Sequence, residues 1–226
     1  MTPINDLTKT HFFEHHPTPE EQSAANIEFF IGLDLGQAQD YSALAILERH
    51  GSYKADKGTW LFHCRHLKRW PLRTPYPAIV ADTASIVNDP QLQQGKNGNT
   101  LAIDATGVGA PIVDLFKREK IAAKLKAIQI TGGDSVNSDG YMTRVPKRDL
   151  VSTVQIALQN DKLKIAKSLP DAVTLTSELQ NFQVKITDTA HDTYGAWREG
   201  THDDLVLAVA LALWTGMTQR RLWCVA

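Results

Sequence analysis

The sequence predicts an α/β protein built on a mixed sheet, and three observations carry that prediction. Two dense apolar runs, "IEFFIGLDLG" from Ile27 and "TLAIDATGVG" from Thr100, are each broken by one aspartate and closed by glycine. Each reads as a buried strand ending in a turn. Between them, "YSALAILERH" and "TWLFHCRHLKRW" add two more strand-like runs before any helical spacing begins. From Tyr76 onward, apolar residues spaced by three and four alternate with strand runs, the pattern of helices crossing between strands. At 226 residues, with 42% hydrophobic and 22% charged residues, the chain has the composition of an ordinary globular domain with a sizeable core.

The elements follow in order. Residues 1–27 are polar, hold Pro17 and Pro19, and show no periodicity, so a poorly ordered tail is expected ahead of a domain over 28–226. Phe12 and Phe13 are the exception, large apolar side chains that could dock elsewhere, and His11, His15 and His16 read as solvated. The connection from Gly36 to Tyr41 is too short for a crossover helix, so the first two strands should pair antiparallel. "TWLFHCRHLKRW" completes a meander, and "PYPAIVADTASIVND", opened by Pro75 and Pro77, is the first helix. Next come the Asp104 strand, the helix "APIVDLFKREKI" and the strand "LKAIQIT". The polar stretch "TGGDSVNSDG" separates these from two further helices. One has Pro146 at its start; the other has Leu169, Val173, Leu175 and Leu179 for a buried face. The sheet should therefore hold five strands or slightly more.

Composition excludes several function classes. A net charge of −1 gives no global basicity of the kind that drives autonomous DNA binding through phosphate neutralisation, although a local basic patch is compatible with it. The N-terminus lacks the basic and apolar regions of a signal peptide, and the longest apolar run, Leu205–Trp214, is too short to span a bilayer. Cys64 and Cys224 have no metal-type spacing and read as free thiols. A cytoplasmic protein without a membrane partner is expected.

The chemistry lies in the carboxylates. Asp34 and Asp104 sit at the C-terminal ends of buried strands, where open α/β sheets gather their ligand sites. On neighbouring parallel strands the two anions would repel and raise one pKa, a penalty that a divalent cation removes. Asp203 and Asp204, opening the apolar helix of "GTHDDLVLAVALALW", would add a third cluster of oxygens. Oxygen ligands suit Mg²⁺ or Mn²⁺, and two such ions support in-line phosphodiester cleavage without a nucleophilic side chain. A strand-end aspartate alone is often only a turn former or helix cap; three acidic sites in these element types favour chemistry.

The motifs "IGLDLGQAQDYSALAIL", "LAIDATGVGAPIVDLF", "VPKRDLVSTVQIALQNDKLKI" and "HDDLVLAVALA" resemble successive motifs of the nuclease domain of bacteriophage terminase large subunits, from about Ile27 to Trp214. The resemblance implies an RNase H-like (RuvC-like) fold and cleavage of concatemeric double-stranded DNA with two Mg²⁺ or Mn²⁺ ions. It implies Asp34, Asp104, Asp203 and Asp204 as catalytic metal ligands. It leaves open which of the last two binds directly, because successive helical residues point about 100° apart. An ATPase motor, a small terminase subunit and a portal are the partners it implies. The chain shows no GxxxxGK[ST] phosphate loop, "QQGKNGNT" lacking both the upstream glycine and the Ser/Thr. A nuclease module alone is expected, either part of a longer chain or a stand-alone relative. Where relatives carry another Asp three residues after the acidic pair, this chain has Leu207.

Secondary candidates surround these. Lys147 and Arg148 could hold phosphate, or could only solvate a first helical turn. In "HLKRWPLR", Lys68, Arg69 and Trp70 suit backbone contact with base stacking, or equally a lysine-protected edge strand. Arg198 and Trp197 could line a DNA groove. Asp40 and His202 are candidates for supporting the metal ligands from behind. His63 and His66, three apart on a strand, should face opposite ways. Rival readings are a Holliday-junction resolvase or other RNase H-like nuclease, an actin-like ATPase sharing "GLDLG", and a catalytically silent packaging module.

Overall fold

The computed structural model describes residues 27–36, 39–50, 60–94, 98–107, 109–140, 142–188 and 202–219. The N-terminal tail with its phenylalanines and histidines, Lys96, Trp197, Arg198 and Cys224 lie outside these residues. One eight-stranded sheet organises the rest, in the order β6-β7-β5-β4-β1-β2-β3-β8. Its strands are β1 (Glu28–Asp34), β2 (Ala43–His50), β3 (Leu61–Arg69), β4 (Asn99–Asp104), β5 (Ala123–Thr131), β6 (Asn137–Ser138), β7 (Met142–Pro146) and β8 (Leu163–Ile165). The helices are α1 (Tyr76–Val87), α2 (Gly109–Arg118), α3 (Lys147–Gln159), α4 (Ala172–Asp188) and α5 (Asp204–Thr218).

The meander is as expected: β1 pairs antiparallel with β2, and β2 with β3. β4 then joins β1 in parallel, and β5 joins β4 in parallel. The sheet is larger than five strands because of β6, β7 and β8. β6 has two residues and β8 three, too few to show an alternation in sequence.

Helices cover both faces, giving two cores. One unites Ile31, Leu33, Ile46, Ile79, Ile103 and Phe116 under α1 and α2. The other packs Phe30, Ala45, Leu150, Leu175, Val209 and Leu213 between the opposite face and α3, α4 and α5. Every residue of α5 from Asp204 to Gly216 is buried, as an all-apolar helix requires. Its backbone lies directly on β1. A Cβ at Gly32 would stand 1.9 Å from the Ala208 carbonyl oxygen, so only glycine permits this approach. The far end of α5 is pinned by Arg49, which donates to the carbonyl oxygens of Gly216 and Gln219 and pairs with buried Glu28. Its guanidinium lies between the Phe30 and Trp60 rings, 4.7 and 4.3 Å from their centroids.

Two expectations are corrected here. Val173 is 83% exposed; the buried line of α4 runs through Ala172, Leu175 and Glu178, a step around the helix from the face expected. His63 and His66 face the same way. His63 pairs with Glu48 and His66 with Ile46, two residues apart on β2, while a bulge at this point absorbs the extra residue of β3.

Candidate active site

β1 and β4 run parallel with Leu33 beside Ile103, so Asp34 and Asp104 leave adjacent strands at the same level. Gly36 lets the chain turn immediately after Asp34, since a Cβ there would stand 2.3 Å from the Tyr41 carbonyl oxygen. The two carboxyls are near enough for each to feel the other's charge, and the Thr106 backbone N–H donates to Asp104 Oδ1 at 2.8 Å. Burial, then the charges of Asp104, Asp204 and Asp203, push the Asp34 carboxyl well above the usual range, partly offset by Lys147. Burial raises Asp104 too, against the bonds it accepts from Thr106 and against the nearby Lys147 charge. Burial and mutual repulsion thus both disfavour two ionised carboxylates at this point.

The N-terminus of α5 faces this pair. Asp203 occupies the N-cap position but makes no capping bond; its Oδ2 accepts from Lys147 Nζ at 3.1 Å. Asp204 is buried, with Oδ2 3.8 Å from His202 Nδ1 and without a hydrogen bond. Burial first, then Asp203 and Asp40, raise its pKa to about 7.

Glu178, from the middle of α4, was not anticipated from the sequence. Only 6% exposed, it accepts the backbone N–H bonds of Leu205 and Val206 at 3.0 and 3.2 Å. Burial raises its pKa to about 7, and the Asp204 charge adds to the rise. Arg69 lies 3.5 Å away and stacks over Tyr41 at 4.2 Å, and Tyr41 meets the His202 ring edge-on at 4.8 Å.

The basic candidates divide by direction. Lys147 reaches the acidic cluster, whereas Arg148, one residue on, pairs with Asp134 and Asp149. Arg69, opposite Ala43, points to the α4–α5 side; Lys68, opposite Leu44, points to the α1 side and pairs with Asp82. Trp70 is buried and donates to Asp82 at 2.6 Å, so it is no stacking platform for bases. β3 is not an outer strand throughout, because β8 covers Phe62–Cys64, but the segment carrying Lys68 and Arg69 runs past β8 as an edge. Asp40 is exposed on the rim of an open cavity of about 610 Å³ between the β1–β2 connection and the starts of α1 and α2. Among the described residues, no three acidic, His or Cys side chains yet converge as closely as a metal cage demands.

Sequence comparison decides the family. The chain matches the terminase RNaseH-like domain over residues 31–215. It belongs to that family. This terminase RNase H-like domain is 24% identical to the terminase large subunit of Thermus phage G20c, over 81% of the chain but 31% of the relative. It thus spans about a third of that curated relative's length. In fold it is similar to the large terminase nuclease of thermophilic phage G20c (TM-score 0.52, 19% identity, 83% and 81% of the two chains). It is similar as well to the Mn-soaked, inhibitor-bound terminase nuclease domain of human cytomegalovirus (TM-score 0.56, 13% identity, 86% and 85%). Family membership sets aside the actin-like reading, and the RNase H-like fold expected from the motifs is the fold present. Among the described residues, no helix of this terminase domain is long and apolar enough to cross a membrane.

Proposed function

We propose that the chain is a divalent-metal-dependent endodeoxyribonuclease of the terminase large subunit type, cutting concatemeric viral DNA during genome packaging. The observation that carries this reading is the buried Asp34–Asp104 pair facing Asp203 and Asp204 across the β1–β4 strand ends. The donor set, all carboxylate oxygen, is of the kind that Mg²⁺ and Mn²⁺ prefer. Asp204 Oδ2 is a buried acceptor with no hydrogen bond, and burial disfavours the ionised forms of Asp34 and Asp104, a penalty that a cation would offset. The cytomegalovirus domain of the same fold was soaked with Mn.

Asp34, Asp104, Asp203 and Asp204 would hold the ions, which when bound supply Lewis-acid polarisation of the phosphate and an acidified water. The chain's own residues do the rest. Lys147 pairs with Asp203 and would also meet a phosphate oxygen of the incoming strand. α5, sealed against β1, holds its acids still and keeps water from the cluster's inner side. Double-stranded DNA is the substrate, and an ATPase motor, small terminase subunit and portal are the partners that membership of a packaging enzyme brings.

The test is plasmid cleavage with Mn²⁺ by wild type and Asp104→Ala. Nicking or linearisation by wild type, reduced at least ~100-fold in the variant, is expected. Equal cutting by both would refute the site. Preference for a four-way junction over linear duplex would point instead to a resolvase.

A further inference from the structure

The first turn of α5 has backbone N–H groups that a helix normally satisfies with its own N-cap side chain. Asp203 stands at that position, makes no capping bond, and spends its carboxylate on Lys147. The donors of Leu205 and Val206 are taken by Glu178, which reaches across from α4. Glu178 is itself fixed by Arg69 at 3.5 Å, and Arg69 by stacking on Tyr41.

We propose that Glu178 is a positioning residue of the nuclease site: it caps α5 from a neighbouring helix, which frees the Asp203 carboxylate and sets the direction in which Asp203 and Asp204 leave the helix. The inference rests on the proposed metal-dependent reading. One carboxylate oxygen, Oε2, accepts both N–H bonds, so a single atom carries the orientation of the helix start. What matters is therefore the position of that acceptor, and its charge is secondary. A side chain that keeps an oxygen there should preserve metal binding; one that keeps the charge but withdraws the oxygen should not.

Glu178→Gln and Glu178→Asp separate the two. Gln retains the length and a carbonyl acceptor, and Asp retains the carboxylate but is one methylene shorter. Mn²⁺ affinity is measured calorimetrically on the full chain, with plasmid cleavage as a function of Mn²⁺ in parallel. Changes behind metal ligands typically cost ~10–100-fold in affinity. The Asp variant should bind Mn²⁺ about tenfold more weakly and need about tenfold more of it for half-maximal cutting. The Gln variant should stay within about threefold of wild type in both. Weaker binding by Gln than by Asp would overturn the proposal and make Glu178 a charge donor or ligand. Two variants with wild-type affinity and shifted melting temperatures would overturn it too, leaving a purely structural cap. If wild type itself neither binds Mn²⁺ nor cuts DNA, the nuclease reading fails and the proposal falls with it.

Discussion

Without metal, the protein should lose stability as pH rises from about 5 to about 8, and a divalent cation should restore it. Four buried carboxyls produce the effect. Asp34 and Asp104 are raised chiefly by burial; burial likewise lifts Asp204 from 3.8 to about 7 and Glu178 from 4.5 to about 7. A carboxyl with a higher pKa folded than unfolded binds more protons in the folded state. Its contribution is complete below the unfolded value and is lost as pH climbs through the folded one. At about 1.36 kcal/mol per unit, and with both folded values at about 7, Asp204 and Glu178 would each lose about 2 kcal/mol between about pH 5.5 and about pH 8. The Asp204 charge is itself part of the rise at Glu178, so the two losses share a cost and combine to about 3 kcal/mol. Glu48 does not interfere: its bonds to His50 and Arg65 outweigh burial and hold it below 4.5, beneath this window.

In a domain of this size each kcal/mol moves the melting temperature by ~2–4 °C, so the expected fall is about 10 °C. Differential scanning fluorimetry in EDTA at about pH 5.5 and about pH 8 reads it directly. Mn²⁺ at about 100 times its Kd should return about 2.7 kcal/mol at the higher pH. Asp204→Asn, which removes one ionising carboxyl, should melt above wild type at the higher pH in EDTA and gain less from Mn²⁺. A metal-free melting temperature that stayed level or rose between these pH values would show that the carboxyls ionise without cost. The electrostatic case for a cation would then fail.

Further outcomes follow from the packing and the charges. Lys147→Met removes the cation that eases the ionisation of Asp34 and Asp104, so the pH of half-maximal Mn²⁺-dependent cutting should rise by about one unit, read from a pH–rate profile. Gly32→Ala drives a methyl into the α5 backbone and should cost about 3 kcal/mol or more in urea unfolding. Arg49→Met strands buried Glu28 and the carbonyl oxygen of Gly216, for about 3–5 kcal/mol and a melting temperature about 10 °C lower.

Long-range features were legible in the sequence wherever a local pattern forced them. β1 and β4 each end a dense apolar stretch on a single aspartate, so both the strands and the oddity of Asp34 and Asp104 could be read directly. The acid pair at the start of α5 stood out for the same reason, against an all-apolar background. Glu178 did not, because it reads as a polar position between Leu175 and Leu179 on an amphipathic helix. Only the seating of α4 against α5 buries it. The spacing Ala172, Leu175, Glu178 was its available signal, and choosing Val173 for the buried face concealed it. Lys147 and Arg148 were indistinguishable in sequence, since the 100° turn between adjacent helical residues separates them only once α3 is docked. The bulge in β3 that brings His63 and His66 to one face has no periodic signature at all.

α5 shows why these parts belong to one design. Acids that must wait for a cation repel one another, and the waiting state survives here on borrowed positive charge: Lys147 on Asp203, Arg69 on Glu178. On the proposed reading, Asp203 would hold metal as well as pair with Lys147, so the contacts at the start of α5 would change during the working cycle. A helix held only by those contacts would shift with them. Its position must therefore be fixed by contacts that take no part in the chemistry, and two are in place. The backbone of Ala208 seats on Gly32 along its length, and Arg49 grips its last carbonyls at the opposite end. Glu178 holds the remaining degree of freedom, the direction of the first turn. This division accounts for the otherwise costly burial of Glu28 with Arg49, an ion pair far from the acidic cluster. Weakening it should loosen the acids as well as the fold, so Arg49→Met should need more Mn²⁺ for half-maximal cutting even at temperatures well below its melting point.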